Sequence, residues 1–207
     1  MRTATWYFDV VSPFAYLHLA RFRELPRDLA IEYRPVLFAG LLGHWGQKGP
    51  AEIPGKRRYI YRYCHWYARR LGVPFRFPAG HPFNPLAFLR LILAADCSRK
   101  SVNRVFSYLW SGADPGDAAG FRKLAEELNV SPDAIERADV KERLRRNTEE
   151  AVAAGVFGVP TLALEGELFW GADSVEFFSD WYANPVVLAN DEMRRLDALP
   201  VAAARRQ

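Results

Sequence analysis

One stretch, Trp6-Tyr-Phe-Asp-Val-Val-Ser-Pro-Phe-Ala-Tyr-Leu17, limits the possible folds of this chain more than any other, because an apolar aromatic run passes straight into Ser12-Pro13. Serine is a favoured helix N-cap and proline suits the first helical position, so the pattern predicts a strand over Thr5–Val11 and a helix to about Glu24. Leu25-Pro-Arg-Asp-Leu29 breaks that helix, and Ala30–Leu37 predicts a second strand. Two strands joined through one helix at this separation form a β-α-β unit with the strands parallel.

Gly40, Gly43, Gly46, Gly49, Pro50 and Pro54 predict a long loop over Phe38–Pro54 that leaves the sheet. Tyr59 to Arg70, Pro85–Ala95, Val102–Trp110 and Ala118–Leu128 then read as helices, with no strand signal of more than a few residues between Val73 and Asn147. Ser131-Pro132-Asp133 starts a short helix, and Val140–Ala154 makes a longer one ending at Gly155. Val156-Phe-Gly-Val-Pro-Thr161 is a turn entering a strand, Thr161–Glu165 and Glu167–Trp170 flank Gly166 as a tight hairpin, and Asp173 caps a last helix through Tyr182. The expected architecture is α/β, with an all-helical insertion (41–147) dividing a sheet-bearing part (1–40 and 148–207). The Ala/Arg tail after Pro200 reads as disordered.

With 207 residues and 50% hydrophobic composition the chain can bury a full core. No window reaches the roughly 18–20 unbroken apolar residues of a membrane span, and Asp9 interrupts any signal-peptide core, so a cytoplasmic location is expected. Cys64 and Cys97 lie far apart, without Cys-x-x-Cys or Cys/His spacing, which argues against a disulfide framework and a metal site. The net charge of +4 is dispersed or gathered in Arg205-Arg206. A solvated basic face explains it better than a nucleic-acid surface, and a mildly basic site for an anionic small molecule fits the same charge equally well.

Ser12 has an ordinary explanation as a cap. A helix N-terminus beyond a parallel strand also stabilises anions, and a hydroxyl there can hydrogen-bond a thiolate supplied by a cofactor. Pro160 marks a strand start; if the Val159–Pro160 bond is cis, the turn presents the Val159 backbone to whatever lies at the first helix.

The Phe-Asp-Val-Val-Ser-Pro-Phe-Ala-Tyr-Leu, Phe-Gly-Val-Pro-Thr and Phe-Trp-Gly-Ala-Asp-Ser segments, with the helical insertion, resemble the 2-hydroxychromene-2-carboxylate isomerases. These are glutathione-dependent relatives of kappa-class glutathione transferases and of the disulfide oxidoreductase DsbA. The resemblance spans about Thr5 to Tyr182 and implies a thioredoxin-like fold with glutathione as cofactor. It puts Ser12 at the glutathione sulfur, and Ala15 where a redox relative has its second cysteine, so disulfide exchange is not expected. It also implies that the Val159 main chain, beside Pro160, pairs with the cysteinyl part of glutathione and that Asp173 and Ser174 hold the γ-glutamyl end. Relatives commonly have Asn-Asp-Arg where this chain has Ala172-Asp173-Ser174, so a bidentate arginine grip on a carboxylate is missing. Gly46-Gln47 stands where relatives often have Gly-Asn, making Gln47 a candidate substrate contact.

Lys56, Arg57 and Arg58 place positive charge beyond the glycine-rich loop, either as a solvated helix start or near a carboxylate of the cofactor or substrate, with Lys56 the candidate cofactor contact. An aromatic substrate needs apolar walls with few polar anchors, for which His44, Trp45, Tyr61, His65 and Asn84 are candidates, Asn84 first. His18 lies within the first helix, away from the chemistry. The function expected is a glutathione-dependent isomerase of a small aromatic carboxylate in aromatic-compound breakdown, as a homodimer, with no nucleic-acid or membrane partner. A kappa-class-like transferase is the nearest alternative, and a non-redox peptide-binding or chaperone module the alternative from another class.

Overall fold

Residues 1–203 are described by a computed structural model; Arg205 and Arg206 of the expected disordered tail lie outside them. Strands β1 (Thr3–Phe8) and β2 (Ala30–Pro35) pair in parallel across helix α1 (Pro13–Arg21). The hairpin β3 (Thr161–Leu164) and β4 (Glu167–Trp170) adds antiparallel to β1, Trp6 facing Leu162, so the sheet order is β2-β1-β3-β4. The two sequence halves therefore build one thioredoxin-like sheet. Glu165 and Gly166 both have positive φ, 52° and 89°, as a two-residue hairpin turn matched to strand twist requires.

Side chains alternate across β1, and the alternation sets the packing. Ala4, Trp6 and Phe8 are fully buried on one face, where Trp6 stacks on Phe8 at 4.4 Å and Phe106 meets Phe8 at 5.7 Å. Phe106 belongs to α5 (Arg99–Leu109), and Leu89, Leu91 and Ile92 of α4 (Leu86–Ala94) join the same cluster, so sheet and helical insertion share one continuous core. Tyr7 points to the other face and packs with Val36, Leu41 and Ala151. Helices α3 (Pro54–Leu71) and α6 (Ala118–Glu127) complete the insertion, and α7 (Ala138–Ala153) leads back to the sheet and covers its Tyr7 face; no helix of the described residues is long and apolar enough to cross a membrane.

Several sequence expectations need correction. The first strand stops at Phe8, because the Asp9 carboxylate accepts the Val11 N–H (3.0 Å) and turns the chain toward α1. The expected loop after Phe38 begins with a helix, α2 (Phe38–His44), despite Gly40 and Gly43. A Cβ at Gly40 would sit 3.0 Å from the Thr148 methyl, so this glycine serves close approach to α7 and not a loop. Residues Pro132–Glu136 form a 3-10 turn, and a helix α9 (Asp191–Asp197) follows the last expected element. The last major helix, α8 (Val175–Ala183), has Ser174 and not Asp173 at its N-cap.

Candidate functional site

Ser12 caps α1 through its side chain, Oγ accepting the Ala15 N–H at 3.3 Å. The same hydroxyl lies 3.5 Å from the Val159 carbonyl, at the long limit for donating a hydrogen bond. Two segments 147 residues apart thus meet at one buried point, and the Val159–Pro160 peptide there is cis. The α1 backbone dipole points its positive end at this junction.

Two adjoining cavities open on it, with Phe14, Val159 and Trp170 lining both. The larger, about 630 Å³, runs from Ser12 to the first turns of α3 and the His81–Phe83 loop. The smaller, about 380 Å³, is walled by Tyr59, Tyr63 and Tyr67 of α3 and closed by Pro160 and Asp173. Both fall within the size range of small-molecule sites.

Ser12, Gln47, Lys56, Tyr61 and Val159 line the larger cavity, and Val159, Pro160 and Asp173 the smaller. Ser174 is turned inward, its hydroxyl donating to the Gly171 carbonyl at 2.8 Å. Trp45 does not join the cleft lining, because its indole N–H is bound to the Val156 carbonyl at 2.9 Å. Asn84 is exposed and its Oδ1 accepts the Leu86 N–H (3.1 Å), so it is bound to the backbone just before α4 while its neighbours Phe83 and Pro85 reach the cavity. His44 and His65 are exposed, and His18 is fully buried, its Nδ1 accepting from the Trp6 indole at 3.3 Å. Burial, then the Arg21 charge, pushes the His18 imidazole down to about 3.

Sequence reasoning missed Asp9 and His81. Asp9 lines the larger cavity fully buried, accepting the N–H groups of Val11 and Phe38 (2.8 Å); burial pushes its carboxyl up to about 7 against those two bonds. An ionisable residue inside an apolar run just before Ser-Pro was the available signal. His81 carried none, being a lone histidine in a loop. Its Nε2 is 2.8 Å from the Val11 carbonyl and its Nδ1 is 2.6 Å from the Tyr61 hydroxyl, while burial lowers its pKa and the Val11 carbonyl raises it.

Lys56 and Arg57 sit exposed in the first turn of α3, which has no acidic residue, so their charge opposes the helix dipole and favours an external anion. Arg21, 5% exposed, donates to the Ala172 carbonyl and the Tyr67 hydroxyl, both at 3.0 Å, and pairs with Glu24 and Glu176, which fixes the loop carrying Asp173. Cys64 and Cys97 are free and buried, and burial pushes both thiols up to about 12. Neither is a thiolate near neutral pH. No group of three or more His, Cys, Asp or Glu among the described residues is gathered to hold a metal.

Residues 3–183 match the family described as the DSBA-like thioredoxin domain. The chain is 30% identical to a 2-hydroxychromene-2-carboxylate isomerase of Pseudomonas putida, over 81% of this chain and 88% of that one. It is 26% identical to glutathione S-transferase kappa 2 of Caenorhabditis elegans, over 89% and 93% respectively. A solved 2-hydroxychromene-2-carboxylate isomerase superposes with a TM-score of 0.76 at 27% identity, covering 92% of this chain and 98% of that one.

Proposed function

Since the chain belongs to the DSBA-like thioredoxin-domain family, and within it to the group of 2-hydroxychromene-2-carboxylate isomerases and their kappa-class relatives, we propose that it is a glutathione-dependent isomerase of a ring-opened or hemiketal aromatic pyruvate. One observation carries the reading: the chain sets a serine hydroxyl, not a thiol, at the α1 N-terminus against the loop before Pro160, while its own two thiols are buried and protonated. Ala15 stands where a second redox cysteine would be, so a thiol used at this point has to be borrowed.

The residues fit glutathione as the lender. Ser12 and the first-turn N–H groups of α1 favour a sulfur as its anion, since a hydrogen bond and a dipole end both lower the energy of the charged form. The Val159 backbone beside Pro160 would pair with the cysteinyl unit, and Asp173 would face the γ-glutamyl ammonium. Ser174 has its hydroxyl committed to Gly171 and would act through its backbone at the start of α8. When bound, glutathione supplies a thiolate that adds to a conjugated carbon, makes a double bond rotatable, and is recovered on elimination. The larger cavity gives the aromatic part of the substrate Phe38, Leu42 and Phe83, with Lys56 and Arg57 for its carboxylate and Gln47 and Tyr61 as polar anchors. A cytoplasmic homodimer is the proposed setting.

A kappa-type transferase would use the same groups with a departing leaving group, a reading favoured by the Caenorhabditis elegans relative. Calorimetry with glutathione, then assay of glutathione after turnover of a hydroxychromene carboxylate, decides between them. Binding with full recovery is expected; stoichiometric consumption assigns the transferase, and no binding leaves the peptide-groove alternative.

A further inference from the structure

His81 has no part in the reading above, yet it lines the larger cavity with Tyr61 and Ser12 and is wired to both sides of it. We propose that Tyr61 and His81 form a proton relay that takes the hydroxyl proton of a hemiketal substrate at ring opening. The proposal rests on the isomerase reading.

The wiring is settled by counting donors. A carbonyl only accepts, so the 2.8 Å contact to the Val11 oxygen requires a hydrogen on Nε2 of His81, and Nδ1 is the atom that titrates. With Nδ1 bare, the Tyr61 hydroxyl at 2.6 Å donates to it. With Nδ1 protonated, it donates to the Tyr61 oxygen, whose own hydrogen turns to the His81 carbonyl at 2.8 Å. Both charge states leave the network bonded, so a proton can arrive or depart without breaking it. The rings of Phe77, Phe83 and Trp110 pack around the imidazole and favour the neutral, accepting state. Burial pushes the Tyr61 hydroxyl up, against the smaller opposing effect of Arg57 on α3, so Tyr61 passes a proton on only as it receives another, and Asp9 faces the same cavity from beyond β1.

In the step itself the substrate O–H bond breaks, its hydrogen passes to the Tyr61 oxygen, and the Tyr61 hydrogen moves to Nδ1. The electron pair left on the substrate oxygen forms the carbonyl as the ring C–O bond breaks. The ring oxygen leaves as phenolate and later recovers the proton from the relay; nothing is oxidised or reduced. Tyr61 is then a catalytic residue and His81 a positioning residue that stores the proton.

The competing account makes His81 a clamp that holds Val11 and thereby Ser12. Tyr61→Phe removes the relay and keeps the clamp, and His81→Gln is the second variant. The experiment follows the ring nitrogens of His81, one of four histidines, by 15N NMR across pH, and measures kcat and KM against pH with a ring-closed hydroxychromene carboxylate. Expected are an Nε2–H neutral ring titrating below 6.5 and a wild-type kcat that falls as pH drops through that value. Tyr61→Phe should lower kcat about 100-fold with the acid limb gone and glutathione affinity unchanged. A Tyr61→Phe enzyme with wild-type kcat and acid limb, or a neutral ring protonated on Nδ1, overturns the relay alone. A wild-type chain that neither binds glutathione nor isomerises overturns the isomerase reading, and the relay with it.

Discussion

On the sheet side of the cleft, Ser12 and Val159 are each 7% exposed and locked by backbone geometry, whereas on the helical side Gln47, Lys56 and Arg57 stand in solvent. The sheet side is held by cap and strand hydrogen bonds that form with the fold, and a charge stabilised there needs no reorganisation at the moment of reaction. The helical side offers long, mobile cations that steer and grip a carboxylate through a screened field. A fixed reacting atom belongs against the first side, and a variable substrate against the second.

The largest test of that contrast is Ser12→Ala. Turnover should fall by about 100-fold or more, and the absorbance titration of bound glutathione should show a raised thiol pKa, as follows when a hydrogen bond to developing or resident charge is lost. Loss of the cap should cost only about 1 kcal/mol in a urea melt. Equal activity and an unmoved thiol pKa would reduce Ser12 to a cap and erase the contrast.

Next comes pH, because the titratable groups under the sheet side are buried. Asp9 is held up at about 7 against an ordinary 3.8, so between those values the folded state carries a proton the unfolded chain lacks, and its contribution to stability declines as pH rises. His18 is held down at about 3 against 6.5, so there the unfolded chain carries the extra proton and stability grows with pH until 6.5. Each effect is on the order of 4–5 kcal/mol in full, and they offset between about pH 4 and 6.5. Urea unfolding of the wild type should therefore be nearly flat in that window. His18→Gln should expose the Asp9 trend, stability falling by up to about 1.4 kcal/mol per pH unit toward neutrality. A flat His18→Gln profile would show that Asp9 is ionised in the fold.

A smaller effect is expected on the exposed side. Lys56→Ala combined with Arg57→Ala should raise KM for the carboxylate substrate about fivefold, with kcat kept, as befits exposed charges worth about 1 kcal/mol. The increase should shrink as salt is added. A collapse of kcat instead would mean that these cations act on the reacting atoms.

Smallest of all, Trp45→Phe should lower stability by about 1 kcal/mol through its lost bond to Val156, with kinetics unchanged. A changed KM would put Trp45 in the cleft after all.

The parts of the site that could be read ahead of the structure are those with a local signature. Ser12-Pro13 announces a helix cap and Val159-Pro160-Thr161 a strand entry, each within a few residues. The hairpin announces itself through Gly166 between two apolar runs. What escaped was set by partners distant in sequence. The helix at Phe38–His44 forms where glycines predicted a loop, because Gly40 lets it close on Thr148. Asn84 and Trp45 looked like substrate contacts by type and position, yet the Asn84 Oδ1 is bonded to the Leu86 N–H and the Trp45 indole N–H to the Val156 carbonyl.

By itself, then, the sequence determined the β-α-β opening, the hairpin, the helical insertion and the serine at the α1 cap, since each follows from propensity and periodicity over a short window. Only the tertiary structure decided that Ser12 meets Val159 across 147 residues, that burial raises the Asp9 carboxyl to about 7, and that His81 reaches both Val11 and Tyr61. Burial and hydrogen-bond partnership are properties of the packed whole. No local pattern encodes them, because the groups that remove water from a side chain come from elements far away along the chain.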